Sequence, residues 1–242
     1  MIDHYDWAGG REAMLRFGPA GGPVVVAALP LFEEANRTRS FVVTILRLLA
    51  ARGIAGALPD LPGQGESLVP THGSSLLKMQ DGFNFACDRF DREGRPCYAL
   101  GLRSGALLDA LAPVAGRWHL APQDGAQLLR ELSRIKQAEL GGEPLGDSWY
   151  LGGHLPTDAG APPVEIAGTL IAPGLLSALR IQTPFHAPGT PRRVVRLASD
   201  PGPADRKIEG SPLWRRAEPD NDPVLAALLA DDLAAWIRTC ES

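Results

Sequence analysis

The chain has 242 residues, of which 45% are hydrophobic and 21% charged, and its net charge is −4. This length and composition predict one soluble α/β domain over residues 1–242, with enough apolar side chains for a sizeable core. The acidic balance, with a pI of about 5.7, gives no general attraction to nucleic acid or anionic lipid, so we expect no nucleic-acid partner.

The cysteines and the apolar runs indicate the expected cellular location of the protein. Cys87, Cys97 and Cys240 lie far apart and form no CxxC pair, which argues against a disulfide framework, a metal site or a metal cofactor and favours the cytoplasm. The N-terminal stretch "MIDHYDWAGG" is acidic and lacks a long apolar run, so we expect no signal peptide. The longest apolar run, "VVVAAL", is far shorter than the roughly 20 residues of a membrane span.

Strand-like and helix-like segments alternate from Gly18 onwards. The predicted strands begin in "GPVVVAALPLF", "IAGALPDLPGQGES", "CYALGL", "RWHLAP" and "RRVVRLASD". The predicted helices lie in "TRSFVVTILRLLAARG", around residues 80–91, after "GLRSG", in "DGAQLLRELSRIKQAEL" and in "DPVLAALLADDLAAWIRTC". This alternation predicts a mostly parallel sheet flanked by helices. The inner face of the last helix is predicted to comprise Leu225, Leu228, Leu229, Leu233 and Trp236.

The segment at about 141–191 differs, because glycine and proline are dense in it. We predict an insertion with little regular structure, apart from a helix near "APGLLSALRI". Such an insertion is suited to the role of a lid or cap over a site.

The stretch "CYALGLRSGALLDAL" has the strand–turn–helix layout of a nucleophile elbow, the turn that carries the catalytic serine of α/β-hydrolases. That turn is tight, so the residues two before and two after its tip must be small. Gly101 and Gly105 meet this condition only if Arg103 is the tip. Ser104 as the tip would put the bulky Leu102 at a flanking position, so the serine is expected one step further on, where a backbone N–H contributes to an oxyanion hole.

An arginine cannot replace the serine, because a guanidinium stays protonated and has no lone pair for attack. Arg103 is therefore expected either to make an ion pair or capping contact at the sheet edge or to bind an anionic ligand. Asp200 follows a predicted strand, where the acid of a triad would lie, but no histidine follows it. His119 lies inside a predicted strand and is expected to be packed or at an edge, whereas His154 and His186 fall in the insertion.

Several segments together resemble the hydrolase-like proteins associated with exosortase A systems. The likeness lies in "LPLFEEANRTRSF", "LPDLPGQGES", "GLRSGALL", "HLAPQDGAQLLRELSR", "VEIAGTLIAPGLLSAL" and "SPLW", and it covers most of residues 18–236. The resemblance implies an α/β-hydrolase fold and a place beside machinery that exports or anchors exopolysaccharide and protein. The chain departs from a working esterase at the nucleophile and at the histidine.

The fold implied by the resemblance brings the loop "PLFEEANR" beside the elbow. Backbone N–H groups near Leu31 and Phe32 would then complete the oxyanion hole, and Glu33 or Glu34 would come within reach of Arg103. A glutamate–arginine pair in this pocket is one possibility, because a buried charge needs a partner. The other is that both glutamates form a solvated first turn of the following helix, where the helix dipole favours them.

Three functional hypotheses follow. The first is a binding or accessory protein of α/β-hydrolase fold without the standard triad, whose pocket at Leu31, Phe32, Glu33, Glu34, Arg103 and Ser104 accepts a small acyl or anionic ligand. The second is an active esterase- or thioesterase-like hydrolase that uses Ser104 in a distorted elbow, with a histidine from the insertion. The third is a homo-oligomeric structural module without pocket chemistry.

Overall fold

The computed structural model describes residues 1–143, 145 and 162–242, and it confirms the predicted mostly parallel sheet with flanking helices. The main sheet has eight strands in the order β1-β2-β4-β3-β5-β6-β9-β10, and β7 and β8 form a separate hairpin. The strands are β1 Ile2–Trp7, β2 Gly10–Phe17, β3 Val24–Ala28, β4 Ala55–Pro59, β5 Cys97–Leu102, β6 Gly116–Leu120, β7 Val164–Ile166, β8 Thr169–Ile171, β9 Arg192–Leu197 and β10 Arg206–Ile208. The α-helices are α1 Glu33–Ala51, α2 Leu76–Arg92, α3 Gly125–Glu139, α4 Pro173–Leu179 and α5 Pro223–Glu241.

The central strands β3, β4 and β5 carry no charged residue because helices cover the sheet on both faces. In β5, Cys97 and Ala99 belong to one core, whereas Tyr98, Leu100 and Leu102 belong to the other. The first core packs against α2, α3 and α4, and the second against α1 and α5. A run of buried residues without polar alternation is what two-sided burial requires.

The last helix, α5, lies where it was predicted, but its buried face differs from the prediction at one residue. Leu225, Leu229 and Leu233 are buried in the second core, and Trp236 is half-buried. Leu228 is 41% exposed, so its assignment to the inner face was wrong. The buried stripe instead includes Asp232, whose carboxylate has partners on the sheet.

The segment after β5 is the main departure from the predicted elements. In place of a full helix, Arg103–Leu107 forms five residues of 3-10 helix, and irregular chain then leads to β6. The connection is short and contains Pro113, which cannot donate a helical hydrogen bond. The Arg117 side chain stabilises this irregular segment by donating hydrogen bonds to the backbone oxygens of Asp109 and Ala112.

Three further elements escaped the pattern analysis. The hairpin of β1 and β2 precedes Gly18 and joins the sheet through antiparallel pairing of β2 with β4. The short strand β10 extends the opposite edge beside β9. In the segment at about 141–191, α4 confirms the predicted helix, and β7 and β8 add a two-stranded hairpin before it.

No helix among the described residues combines the length and apolar character needed to cross a membrane.

Candidate functional site

The site lies at the edge of the sheet where parallel strands end. β3 lies between β4 and β5 in the sheet. The chain therefore adds β4 on one side of β3 and then crosses over to add β5 on the other, so the strand order reverses at β3. In open α/β sheets, ligands bind outside the carboxyl ends of the strands at such a reversal. The loop after β3 carries residues 29–32, and the turn after β5 begins at Arg103.

Arg103 occupies the tip of this turn in a strained backbone conformation. Its φ angle is +54°, in the left-handed region that side chains other than glycine rarely adopt. The flanking glycines are required by close backbone approach. A Cβ on Gly105 would lie 2.3 Å from the carbonyl oxygen of Ala28, and one on Gly101 would lie 2.7 Å from Ala106 Cα. This crowding is the steric condition from which the position of the tip was deduced.

The Arg103 guanidinium is buried between two carboxylates and an indole ring. Its Nε lies 3.3 Å from Glu34 Oε2, and its Nη2 lies 2.8 Å from Glu131 Oε2. The guanidinium carbon lies 5.3 Å from the centroid of the Trp214 ring, which is a cation–π distance. Arg103 is therefore held from three directions, by α1, by α3 and by the loop after β10.

The protonation equilibria follow from this burial. Burial lowers the pKa of Arg103, but Glu34 and Glu131 outweigh it, so the pKa lies above its usual value. For Glu34 burial is the larger effect, and its pKa is raised although Arg103 opposes the change. One cation thus serves two carboxylates, and the enclosed Glu34 carboxyl is more readily protonated than a free glutamate.

The two glutamates of the first turn of α1 have different partners. Glu34 pairs with Arg103, whereas Glu33 accepts a hydrogen bond of 2.6 Å from Arg37 one turn later and remains partly exposed. Glu34 therefore fits the hypothesis of a glutamate–arginine pair, and Glu33 fits that of a solvated first turn. Phe32 precedes them with φ +61° and ψ −137°, so the loop, like the elbow, stores backbone strain.

Ser104 is fully buried. Its Oγ accepts a hydrogen bond of 2.9 Å from the backbone N–H of Leu31. Leu31 N–H is one of the groups expected to form the oxyanion hole, and here it is bonded within the protein. Among the described residues no histidine hydrogen-bonds to Ser104 Oγ.

Asp200, the candidate acid of a triad, is also engaged in hydrogen bonds within the protein. Asp200 follows β9 and accepts a hydrogen bond of 2.6 Å from Arg196 and one of 2.9 Å from the Gly202 N–H. Burial raises the pKa of Asp200, but these bonds outweigh it and hold the pKa below its usual value. His186 is exposed, and His154 lies outside the described residues.

His119 is packed inside β6, in agreement with its predicted environment. It has no solvent exposure, and its Nε2 lies 2.7 Å from Asp109 Oδ2. Arg117 Nε lies 3.5 Å from the other oxygen of the same carboxylate. This buried group holds the irregular segment after β5 against the sheet.

Solved structures, rather than sequence matches, show which fold this architecture has. No protein-family model matches the chain, and no curated protein sequence matches it. The α/β hydrolase GrgF from Penicillium sp. sh18 superposes with a TM-score of 0.61 at 13% identity, covering 100% of this chain and 97% of that one. The thermophilic esterase from Thermogutta terrifontis gives 0.55 at 13% identity, covering 100% of both chains. Est1E from Butyrivibrio proteoclasticus gives 0.52 at 15% identity, covering 80% of this chain and 77% of that one.

The chain has the α/β-hydrolase fold.

Within the α/β-hydrolase fold, the elements that normally carry a triad converge here on one cleft of about 290 Å³. The elbow contributes Arg103, the loop after β9 contributes Asp200, and the loop after β10 contributes Trp214 and Arg215. The remaining lining includes Gln123 after β6 and the exposed face of α3. Five arginines line the cleft: Arg103, Arg130, Arg134, Arg196 and Arg215.

Sequence reasoning missed Glu131, Trp214 and Gln123 as members of the site. Glu131 lies on an amphipathic helix whose approach to the elbow has no local signal. Trp214 belongs to "SPLW", which the resemblance picked out without assigning it a role. Gln123 follows β6 and is recognisable only by its burial. In the described part of the chain no group of three metal-ligating side chains is positioned to hold an ion.

Proposed function

We propose that this α/β-hydrolase-fold protein lacks a serine-hydrolase triad and binds a small anionic ligand in the cleft beside the elbow. The observation that carries the proposal is Arg103 at the strained tip, with its guanidinium fixed by Glu34 and Glu131. A guanidinium at the place of a nucleophile has no means of acyl transfer. Glu34 and Glu131 offset the charge of Arg103, so the attraction for an anion comes from the other arginines that line the cleft.

The surroundings of the tip support the loss of hydrolysis. Ser104 Oγ is buried and bonded to the Leu31 N–H, so a nucleophilic role would require the elbow to rearrange. The loop over residues 209–222, after β10, contains no histidine, and Trp214 stacks on Arg103 from that loop. An active esterase using Ser104 therefore gains no support from the described residues.

The cellular role rests on the resemblance to exosortase-associated proteins. We propose a cytoplasmic accessory or ligand-binding protein linked to an exosortase or exopolysaccharide system, with the segment at about 141–191 acting as a partial lid. Part of that segment, residues 146–161, lies outside the described residues.

A fluorophosphonate probe and short acyl esters test the absence of hydrolysis. We expect no covalent labelling of the wild-type protein and no ester turnover above that of Ser104→Ala, because no base among the described residues is positioned to activate the hydroxyl. Labelling that is lost in Ser104→Ala would contradict the proposal and support a serine hydrolase.

Thermal unfolding tests the binding. Malate, citrate and phosphate at low salt should include at least one anion that raises the unfolding temperature, whereas neutral glycerol should not, because a ligand that binds only the folded state stabilises it. The absence of any shift across these anions, together with the absence of labelling, would favour a structural module.

A further inference from the structure

Three of the five arginines in the cleft have no counter-charge among the described residues. Arg103 pairs with Glu34 and Glu131, and Arg196 pairs with Asp200. In the described part of the chain, Arg130, Arg134 and Arg215 take part in no ion pair or side-chain hydrogen bond, although all three line the cleft. They leave a local excess of positive charge in a protein whose net charge is −4.

These three side chains come from two sides of the cleft. Arg130 and Arg134 are four residues apart on α3, so they project from the same face of that helix one turn apart. Arg215 follows β10, and Trp214 beside it covers Arg103. Like charges at this helical spacing repel each other, and an anion between the two sides would relieve that repulsion.

Gln123 supplies a second and independent indication of a ligand. It lines the same cleft, the residue is 1% exposed, and neither its Nε2 nor its Oε1 has a hydrogen-bond partner among the described residues. Buried amide groups are normally satisfied, so an unpaired donor and acceptor side by side call for a partner that the protein does not provide. Both atoms are enclosed, so a hydroxyl or amide group in the cleft would satisfy them once the Gln123 side chain turns toward it.

We infer that the cleft binds a small organic phosphate, with the phosphate on Arg130, Arg134 and Arg215 and an adjoining hydroxyl or amide group on Gln123. This rests on the proposed function, since it names the ligand class of the same cleft.

Phosphate suits the three arginines better than a carboxylate does. A carboxylate has two oxygens and is satisfied by a single guanidinium fork. A phosphomonoester has three terminal oxygens and nearly two negative charges at neutral pH, so it can accept from several forks at once. The cleft volume of about 290 Å³ limits the ligand to a small molecule.

Calorimetric titration of the full chain with glycerol 3-phosphate, inorganic phosphate and glycerol tests the assignment. We expect glycerol 3-phosphate to bind best, inorganic phosphate more weakly and glycerol not at all. The double variant R130Q/R134Q should weaken binding of both phosphates by at least about tenfold, because it removes two charge-assisted contacts. The matched control R47Q/R238Q removes the same charge from exposed arginines outside the cleft and should leave binding within about twofold.

Gln123→Leu tests the neutral half of the site. We expect it to fold, because it removes an unsatisfied buried amide, and to bind inorganic phosphate as the wild type does. Its preference for glycerol 3-phosphate over inorganic phosphate should fall by about fivefold, the worth of a typical hydrogen bond.

Two results would overturn the inference. One is binding of citrate or malate without binding of either phosphate, which would leave an anion-binding cleft but remove the phosphate assignment. The other is equal weakening by R130Q/R134Q and R47Q/R238Q, which would reduce the effect to net charge. Fluorophosphonate labelling, in contrast, bears on the proposed loss of hydrolysis and not on phosphate binding.

Discussion

At the scale of single residues, Arg103 shows that the side chain at the tip of an elbow decides which chemistry the turn can supply. The backbone remains that of a nucleophile elbow, with φ +54° at the tip and glycines that no larger residue can replace. The side chain is a buried cation with two carboxylates instead of a hydroxyl with a base. Backbone strain is thus present at a tip whose side chain is a cation.

Arg103→Leu should destabilise the protein in a pH-dependent way. Glu34 would lose its cation in a buried setting, at a cost of about 3 kcal/mol in the free energy of unfolding near pH 8. The pKa of Glu34 is already raised and would rise further, so the variant would be less impaired near pH 5, where this carboxyl can stay protonated.

Denaturant unfolding at pH 5 and pH 8 measures this difference. The double variant Arg103→Leu/Glu34→Leu is the control, because it removes both charges and should recover much of the loss at pH 8. An Arg103→Leu penalty that does not change between the two pH values would contradict the role assigned to Glu34.

At the scale of elements, α5 is fixed to the sheet by a polar contact as well as by apolar packing. Asp232, buried on α5, accepts hydrogen bonds from Trp118 on β6, Arg193 on β9 and Arg206 on β10. Burial raises the pKa of Asp232, but these three donors outweigh it and keep the pKa below its usual value. One carboxylate therefore connects one helix to three strands.

Asp232→Asn should lower the free energy of unfolding by about 3 kcal/mol at pH 7, because it leaves two arginines beside an uncharged amide. Since the native pKa is depressed, the wild-type carboxylate contributes fully above the unfolded value of 3.8 and loses its contribution as the pH falls through the native pKa. The difference between variant and wild type should therefore shrink in acid.

Asp231→Asn provides the matched control for this measurement by denaturant unfolding. Asp231 is the adjacent residue, and its side chain is 64% exposed in a surface pair with Arg52. We expect a change of about 0.5 kcal/mol or less. Equal effects of the two substitutions would refute the structural role of Asp232.

At the scale of the whole molecule, the N-terminal hairpin is an integral part of the sheet. β2 pairs with β4, and Tyr5 and Met14 lie in the same core as Phe83 of α2. The Tyr5 hydroxyl also donates a hydrogen bond of 2.7 Å to the carbonyl oxygen of Asp60, just after β4. The hairpin covers an edge that would otherwise present unpaired backbone groups.

Met14→Ala should therefore cost about 2 to 5 kcal/mol in the free energy of unfolding, as expected for a large-to-small change in a packed core. Ile2→Ala is the control on the same hairpin, since Ile2 is 69% exposed, and we expect a change within about 0.5 kcal/mol. Thermal or denaturant unfolding followed by circular dichroism measures both. A small effect of Met14→Ala would mean that the hairpin packs independently of the core.

The sequence by itself determined the features that depend on local chemistry. Apolar runs predicted β3, β4 and β5, because strands that are covered on both faces carry mainly apolar residues. The spacing of Gly101 and Gly105 around Arg103 located the elbow tip, because the steric conflict lies within a few residues of the chain. The N-terminal hairpin was missed, because polar and apolar residues alternate too weakly along β1 and β2 to predict strands.

Only the tertiary structure decided which side chains meet. Glu131 on α3 and Trp214 after β10 come to Arg103 from elements far along the chain, and the choice of Glu34 over Glu33 depends on the direction in which α1 leaves the loop. The segment after β5 did not form its predicted helix, because buried partners on β6 outweigh local helical propensity. The net charge of the cleft depends on residues that are far apart in the sequence, so it cannot be predicted from any one segment.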